Sequence, residues 1–150
     1  MCEMASFFHL PATGEIKVWD LMGHGETEKE LKLDLKIWRE GHYEPNGKIE
    51  LRFTDTNRVD RVEYETAFRN RFPTFISFLN WGFSEIGEKY SGWLDLSGLT
   101  SADGLKLPSS ISGWLDLRAL TSADGLTLPS SINGSLYLSD SVRAELEMRG

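Results

Sequence analysis

The sequence predicts an α+β protein: a small antiparallel sheet with two helices (residues 1–88), then a short β-solenoid closed by a C-terminal helix (residues 89–150). Three observations lead there. Residues 92–112, GWLDLSGLTSADGLKLPSSIS, return as residues 113–133, GWLDLRALTSADGLTLPSSIN, a period of 21 with four differences. A period in the twenties with regular leucines marks units that bury their apolar residues against the next copy. Upstream, Leu31, Leu33, Leu35 and Ile37 alternate with polar residues, as a half-buried strand requires, and from Asp55 the apolar period lengthens to that of helices.

The elements follow in order. Two short strands are predicted around Ser6–Leu10 and Glu15–Leu21, joined by Pro11-Ala12-Thr13-Gly14. The segment 29–39 is predicted as a strand with Leu31, Leu33, Leu35 and Ile37 inward, and Lys32, Asp34, Lys36 and Trp38 outward. Glu44-Pro45-Asn46-Gly47 reads as a turn into a partner strand, Lys48–Thr54, with Ile49, Leu51 and Phe53 inward. Asn57 or Asp60 then caps a helix running to Asn70, with Val62, Phe68 and Tyr64 on its inner face. Pro73 opens a second helix bearing Phe75, Ile76, Phe78, Leu79 and Trp81, and Gly82 and Gly87 lead into the repeats, where Phe83 and Ile86 meet Leu94 and Leu96. Strands followed by helices suggest a sheet with helices on one face.

Within one repeat, Leu94, Leu96 and Leu99 mark a strand and turn, Asp103-Gly104 and Pro108-Ser109-Ser110 mark further turns, and Leu105, Leu107 and Ile111 form the return wall. Leu115, Leu117, Leu120, Leu126, Leu128 and Ile132 are the copies, so leucine is expected to sit on leucine. A truncated third copy starts at Gly134 with GSLYLSD, giving about two and a half 21-residue coils. That is fewer than the three or so that usually stand alone, so each end needs a cap. SDSVRAELEMRG supplies one as a helix started by Ser139, Asp140 or Ser141, with Val142 and Leu146 at i and i+4. Residues 1–88 supply the other.

The pattern of residues 91–138 resembles the short bacterial leucine-rich repeats with an LP-x-x-[LI] element, and is similar to the LTS…GL…LP repeats of small proteins from phages and mobile elements. It departs from the leucine-rich pattern in lacking the turn asparagine, whose region holds Gly98, Ala119 and the following Leu-Thr-Ser. The resemblance implies a leucine-rich-like solenoid that binds another protein, as an anti-defence inhibitor does, for example an anti-CRISPR protein blocking a nuclease or its surveillance complex. This is analogy from the repeats alone.

Charge and composition narrow the function classes. The chain has 150 residues, a net charge of −7, and no basic stripe: residues 1–90 contribute −4 and residues 91–150 contribute −3. Binding nucleic acid through its phosphates is therefore not expected, whereas docking on a basic protein surface is compatible. No apolar run approaches the roughly 20 residues of a membrane span, and the N-terminus lacks the regions of a secretory signal. A soluble, cytoplasmic protein is expected. The lone Cys2 provides neither a disulfide nor a cysteine-based metal site.

No chemistry-bearing motif stands out. His24 and His42 lie in glycine-flanked stretches and, with Glu26, Glu28 or Glu44, offer a small-ligand, nucleotide-signal or metal reading, against the plainer one of exposed loop histidines. Gly23-His24-Gly25-Glu26 lacks the lysine and helix start of a phosphate loop. The serines and Asp95/Asp116 recur at matching repeat positions, as turn residues do, and no catalytic residue or cofactor is expected. Arg58, Arg61, Arg69 and Arg71 are read as balancing Glu63 and Glu65 along the first helix. What remains is a surface. With the leucines inward, Trp93, Asp95 and Ser97 point outward, flanked by Trp114, Asp116 and Arg118, then by Ser135, Tyr137 and Ser139, about 5 Å apart per coil. Paired tryptophans on a rigid sheet anchor partners well; alternatively, this face packs on the N-terminal helices, or the tryptophans only brace the coils. The expected function is a non-enzymatic interaction through Trp93, Asp95, Trp114, Asp116, Arg118 and Tyr137. A structural subunit of a phage or mobile-element assembly, for which self-association is the first test, is a further alternative.

Overall fold

Residues 5–11, 13–18, 37–52 and 60–148 are described by a computed structural model of the chain. Ala5–Leu10 forms β1, which pairs antiparallel with β2 (Glu15–Lys17) on one side and β3 (Arg39–Tyr43) on the other. A turn at Glu44–Gly47 returns β3 into β4 (Ile49–Leu51), giving an antiparallel sheet of order β2-β1-β3-β4. The turn lies where the sequence puts it, and its partner strand lies within the expected Lys48–Thr54 but covers only Ile49–Leu51; Phe53 and Thr54 lie outside the described residues. The expected strand of residues 29–39 does not: residues 29–36 lie outside the described residues, and β3 begins only at Arg39. At its end the faces are reversed, with Ile37 47% exposed and Trp38 buried. The indole carries the larger apolar surface and wins the interior, where the Lys17 ammonium lies 5.0 Å from its ring centre.

The first helix, α1 (Arg61–Arg71), starts at Asp60, whose side chain accepts hydrogen bonds from the backbone N–H groups of Val62 and Glu63. Phe68 is buried and Tyr64 half-buried, but Val62 is 75% exposed, contrary to expectation. Tyr64 and Phe68, one turn apart, define the inner stripe, and Val62 is two residues off it, on the opposite side. Thr74, not Pro73, caps the second helix, α2 (Phe75–Ile86), through reciprocal bonds with Ser77. Gly82 lies buried inside α2 instead of ending it; Gly87 is the cap. Phe7, Phe68, Phe72 and Phe78 interlock between sheet and helices, with Phe7–Phe78 at 4.9 Å and Phe72–Phe78 edge-on at 5.1 Å. The Tyr43 hydroxyl donates to the Phe72 carbonyl at 2.9 Å, tying β3 to the end of α1.

The repeats form two further sheets, both parallel and three-stranded. One contains β5 (Lys89–Tyr90), β7 (Ser110–Ile111) and β9 (Ser131–Ile132); the other contains β6 (Leu94–Asp95), β8 (Leu115–Leu117) and β10 (Leu136–Leu138). Register partners are copies: Leu94 faces Leu115, which faces Leu136, and Ile111 faces Ile132. Leu94, Leu96, Leu115 and Leu117 are fully buried, as their spacing demands. The Asp-Gly turns repeat as well, with Gly104 and Gly125 at φ of 80° and 77°, a conformation that favours glycine. Asn80 of α2 fastens the first repeat: its amide donates to the Gly104 carbonyl and accepts from the Lys106 N–H, both at 2.7 Å.

The chain ends in α3 (Asp140–Met148), where Ser139 Oγ accepts from the Val142 N–H, Val142 is fully buried and Leu146 half-buried. Glu145 reaches back to accept the Ala123 N–H at 2.7 Å, so α3 satisfies a backbone donor of the preceding unit. Most buried apolar side chains from Ala5 to Val142, though not Phe8 and Trp38, belong to one contiguous cluster, so sheet, helices and repeats share a core. Among the described residues no helix is long and apolar enough to cross a membrane.

Candidate partner-binding face

The outer face of the β6-β8-β10 sheet gathers the residues singled out from the repeats. Identical flanking sequences bring Trp93 and Trp114 to the same place in consecutive units, and their rings stack at 4.9 Å with 6° between planes. Both indoles are half-buried. In the third unit serine replaces the tryptophan and Tyr137 takes the aspartate position, standing edge-on to Trp114 at 6.2 Å and 79°. Arg118 lies over the Tyr137 ring at 5.2 Å, and Tyr137 is 41% exposed. The result is an aromatic ladder with a guanidinium at one end.

The two aspartates are not part of the accessible surface, which corrects the sequence reading. Asp95 and Asp116 are buried, at 5% and 3% exposure. Each bends into a local turn: Asp95 Oδ1 accepts from the Ser97 N–H at 3.1 Å and from its hydroxyl at 2.5 Å, and Asp116 Oδ1 accepts from the Arg118 N–H at 3.1 Å. Arg118 also grips Asp116 with Nε and Nη2, the latter at 2.7 Å. That hydrogen bond, then the carboxylate charge, raises the Arg118 guanidinium above its usual pKa. An ionised carboxylate is costly to bury without donors, so the aspartates hold the strand ends and Arg118 presents the charge. The signal was in the sequence: an aspartate two residues before a turn donor bonds the backbone ahead of it.

Of the two histidines singled out from the sequence, one has a described place. His42 is buried in β3, not placed in a loop, and His24 lies outside the described residues. Among the described residues no group of three His, Cys, Asp or Glu side chains is placed to hold a metal ion. On α1, Arg69 donates to the Gly47 carbonyl at 3.2 Å, and Arg71 lies over Phe72 and Trp81 at 4.9 and 5.1 Å, roles that the expected balance with glutamates did not anticipate. No family model, curated protein or solved structure matches the chain.

Sequence reasoning also missed His9. It is buried on β1, and its Nδ1 lies 2.8 Å from the Tyr64 hydroxyl. Burial lowers its pKa from 6.5 to about 4, and burial likewise raises Tyr64 to about 12. Histidine thus stays neutral in the fold over a range where the unfolded chain binds a proton. Its contribution to stability is complete above pH 6.5 and is lost as pH falls toward 4. The stability measured by urea unfolding is expected to drop through that window by up to roughly 3 kcal/mol, and His9→Gln is expected to flatten the slope.

Proposed function

We propose that the chain is a non-enzymatic protein-interaction module that occludes a site on another protein through Trp93, Trp114, Tyr137 and Arg118. The observation that carries this reading is the stacked Trp93–Trp114 pair, continued by Tyr137 under Arg118. Aromatic rings and arginine are the residue types that dominate interface energies, because they desolvate a large rigid surface at small entropic cost. Coils of a short leucine-rich-like solenoid, with the two parallel sheets as walls, give the ladder its rigid backing. Asp95 and Asp116 serve from beneath, by fixing Ser97 and Arg118.

The likeness of the repeats to those of phage and mobile-element proteins directs the choice of target. The proposed partner is a host defence protein in the cytoplasm, such as a CRISPR–Cas effector. An acidic chain of net charge −7 suits a basic surface of the kind that holds nucleic acid, so occlusion there is steric and electrostatic. The test is a cleavage assay with purified effectors titrated with the chain. Inhibition is expected, and Trp93→Ala with Trp114→Ala is expected to weaken it by about 30-fold or more, at about 2 kcal/mol for one anchor residue. Inhibition unchanged in that double variant overturns the ladder as the contact surface.

A further inference from the structure

We infer that Asn46 is a self-modifying residue, which loses its side-chain amide to attack by the Gly47 backbone nitrogen and leaves an aspartate or isoaspartate in the hairpin turn. The inference is independent of the partner-binding reading. Asparagine is among the thermally labile side chains. A glycine after it leaves the attacking nitrogen unshielded, because glycine has no Cβ. The chain holds two Asn-Gly pairs, Asn46-Gly47 and Asn133-Gly134, and their surroundings differ.

Asn46 is exposed in the turn between β3 and β4. Its Oδ1 accepts the Lys48 N–H at 2.9 Å, which folds the side-chain carbonyl back toward the backbone that follows. That N–H also stands where an oxyanion develops when the Gly47 nitrogen adds to the carbonyl carbon. Arg69 donates to the Gly47 carbonyl at 3.2 Å and brings a positive charge to the same turn. Gly47 has room to rotate: its φ is 93°, and a Cβ there would meet nothing within 4 Å. Its N–H donates to the Glu44 carbonyl at 2.9 Å within the turn, and a local bond of this kind at the surface opens at small cost. Asn133 is exposed too, but locked. Its N–H donates to the Ile111 carbonyl and the Gly134 N–H to the Gly113 carbonyl, both at 3.0 Å. A Cβ on Gly134 would lie 2.6 Å from the Gly113 backbone, so the attacking nitrogen is committed to the contact between units.

Water is the only co-reactant. The Gly47 nitrogen gives up its proton and bonds to Asn46 Cγ, and the side-chain nitrogen leaves with a proton as ammonia, closing a succinimide. Water then opens the ring at Cγ, giving aspartate, or at the Asn46 backbone carbonyl carbon, giving isoaspartate with a main chain longer by one methylene. Either product adds a negative charge to the −7 of the chain, in the turn that Arg69 ties to α1.

Ageing the full chain in mildly alkaline buffer at physiological temperature tests this, with ion exchange reading the added charge and peptide mapping its place. An acidic species modified at Asn46 is expected to accumulate, and to do so faster as pH rises, because the attacking amide must lose its proton. In the folded chain Asn46 is expected to convert about tenfold or more faster than Asn133, the difference being the cost of opening the contact between units. In urea, where both pairs are unfolded, the two rates are expected to converge. Asn46→Gln keeps an amide but would have to close a larger ring, and is expected to stay unmodified over the same period. Should that variant disturb the turn, the comparison of folded and unfolded wild-type chain decides alone. No conversion at Asn46, conversion at Asn133 as fast or faster, or a ratio between the two sites unchanged by urea each overturns the inference.

Discussion

Replacing Leu115 by alanine is expected to destabilise the protein by about 3–5 kcal/mol, near the upper end for such truncations. Leu115 is fully buried and belongs to the middle of three stacked units, with Leu94 on one side and Leu136 on the other. Its removal takes contacts from both neighbours, and backbone hydrogen bonds on both flanks keep the sheet from collapsing into the cavity. A drop of about 10 °C in melting temperature follows from the scale for a chain of this size. The same truncation at Leu136, which is half-buried at the rim, is expected to cost nearer 1 kcal/mol, because much of that side chain already meets water. Chemical denaturation of the two variants checks the contrast. Equal losses would mean that the units do not bury one another.

Gly113→Ala is expected to be nearly as damaging, for a different reason. At the corner between β7 and β8, the Gly113 N–H donates to the Gly92 carbonyl at 2.8 Å, and the Gly113 carbonyl accepts the Gly134 N–H at 3.0 Å. A Cβ on Gly113 would lie 2.5 Å from the Gly92 carbonyl carbon and 2.9 Å from the Trp93 nitrogen. Both neighbours are backbone, so no side chain can swing aside. The units must separate locally, at a cost of about 2–4 kcal/mol, and the Trp93–Trp114 stack should loosen with them, which tryptophan fluorescence reads directly. Gly134→Ala meets the same obstruction, 2.6 Å from the Gly113 carbonyl. Gly98 supplies the control. Its copy in the second repeat is Ala119, so Gly98→Ala is expected to change stability by less than about 0.5 kcal/mol.

The repeats were the most legible part of the chain. A 21-residue period with leucines in fixed places determines which side chains meet, because parallel strands joined by equal lengths of chain pair copy with copy. The turn at Glu44–Gly47, the cap at Asp60 and the C-terminal helix were readable from local chemistry for the same reason: each is decided within a few residues. Where competing faces had to be ranked, local pattern failed. Strict alternation placed Ile37 inward and Trp38 outward, but the packing that decides between them comes from Lys17 and the sheet. Val62 suited a helix interior by type, yet Tyr64 and Phe68 had the aromatic cluster to join.

Taken alone, the sequence determined the repeat period, the leucine interior and the alignment of Trp93 with Trp114, since these depend on spacing along the chain. Tertiary structure decided which of the outward-pointing residues reach solvent. Asp95 and Asp116 alternate with the buried leucines and so belong to the outer face, but turn amides, the Ser97 hydroxyl and the Arg118 guanidinium draw their carboxylates out of reach. It also paired His9 with Tyr64 across 55 residues. Burial and partnership are properties of the assembled surroundings, and no periodicity along a single strand can encode them.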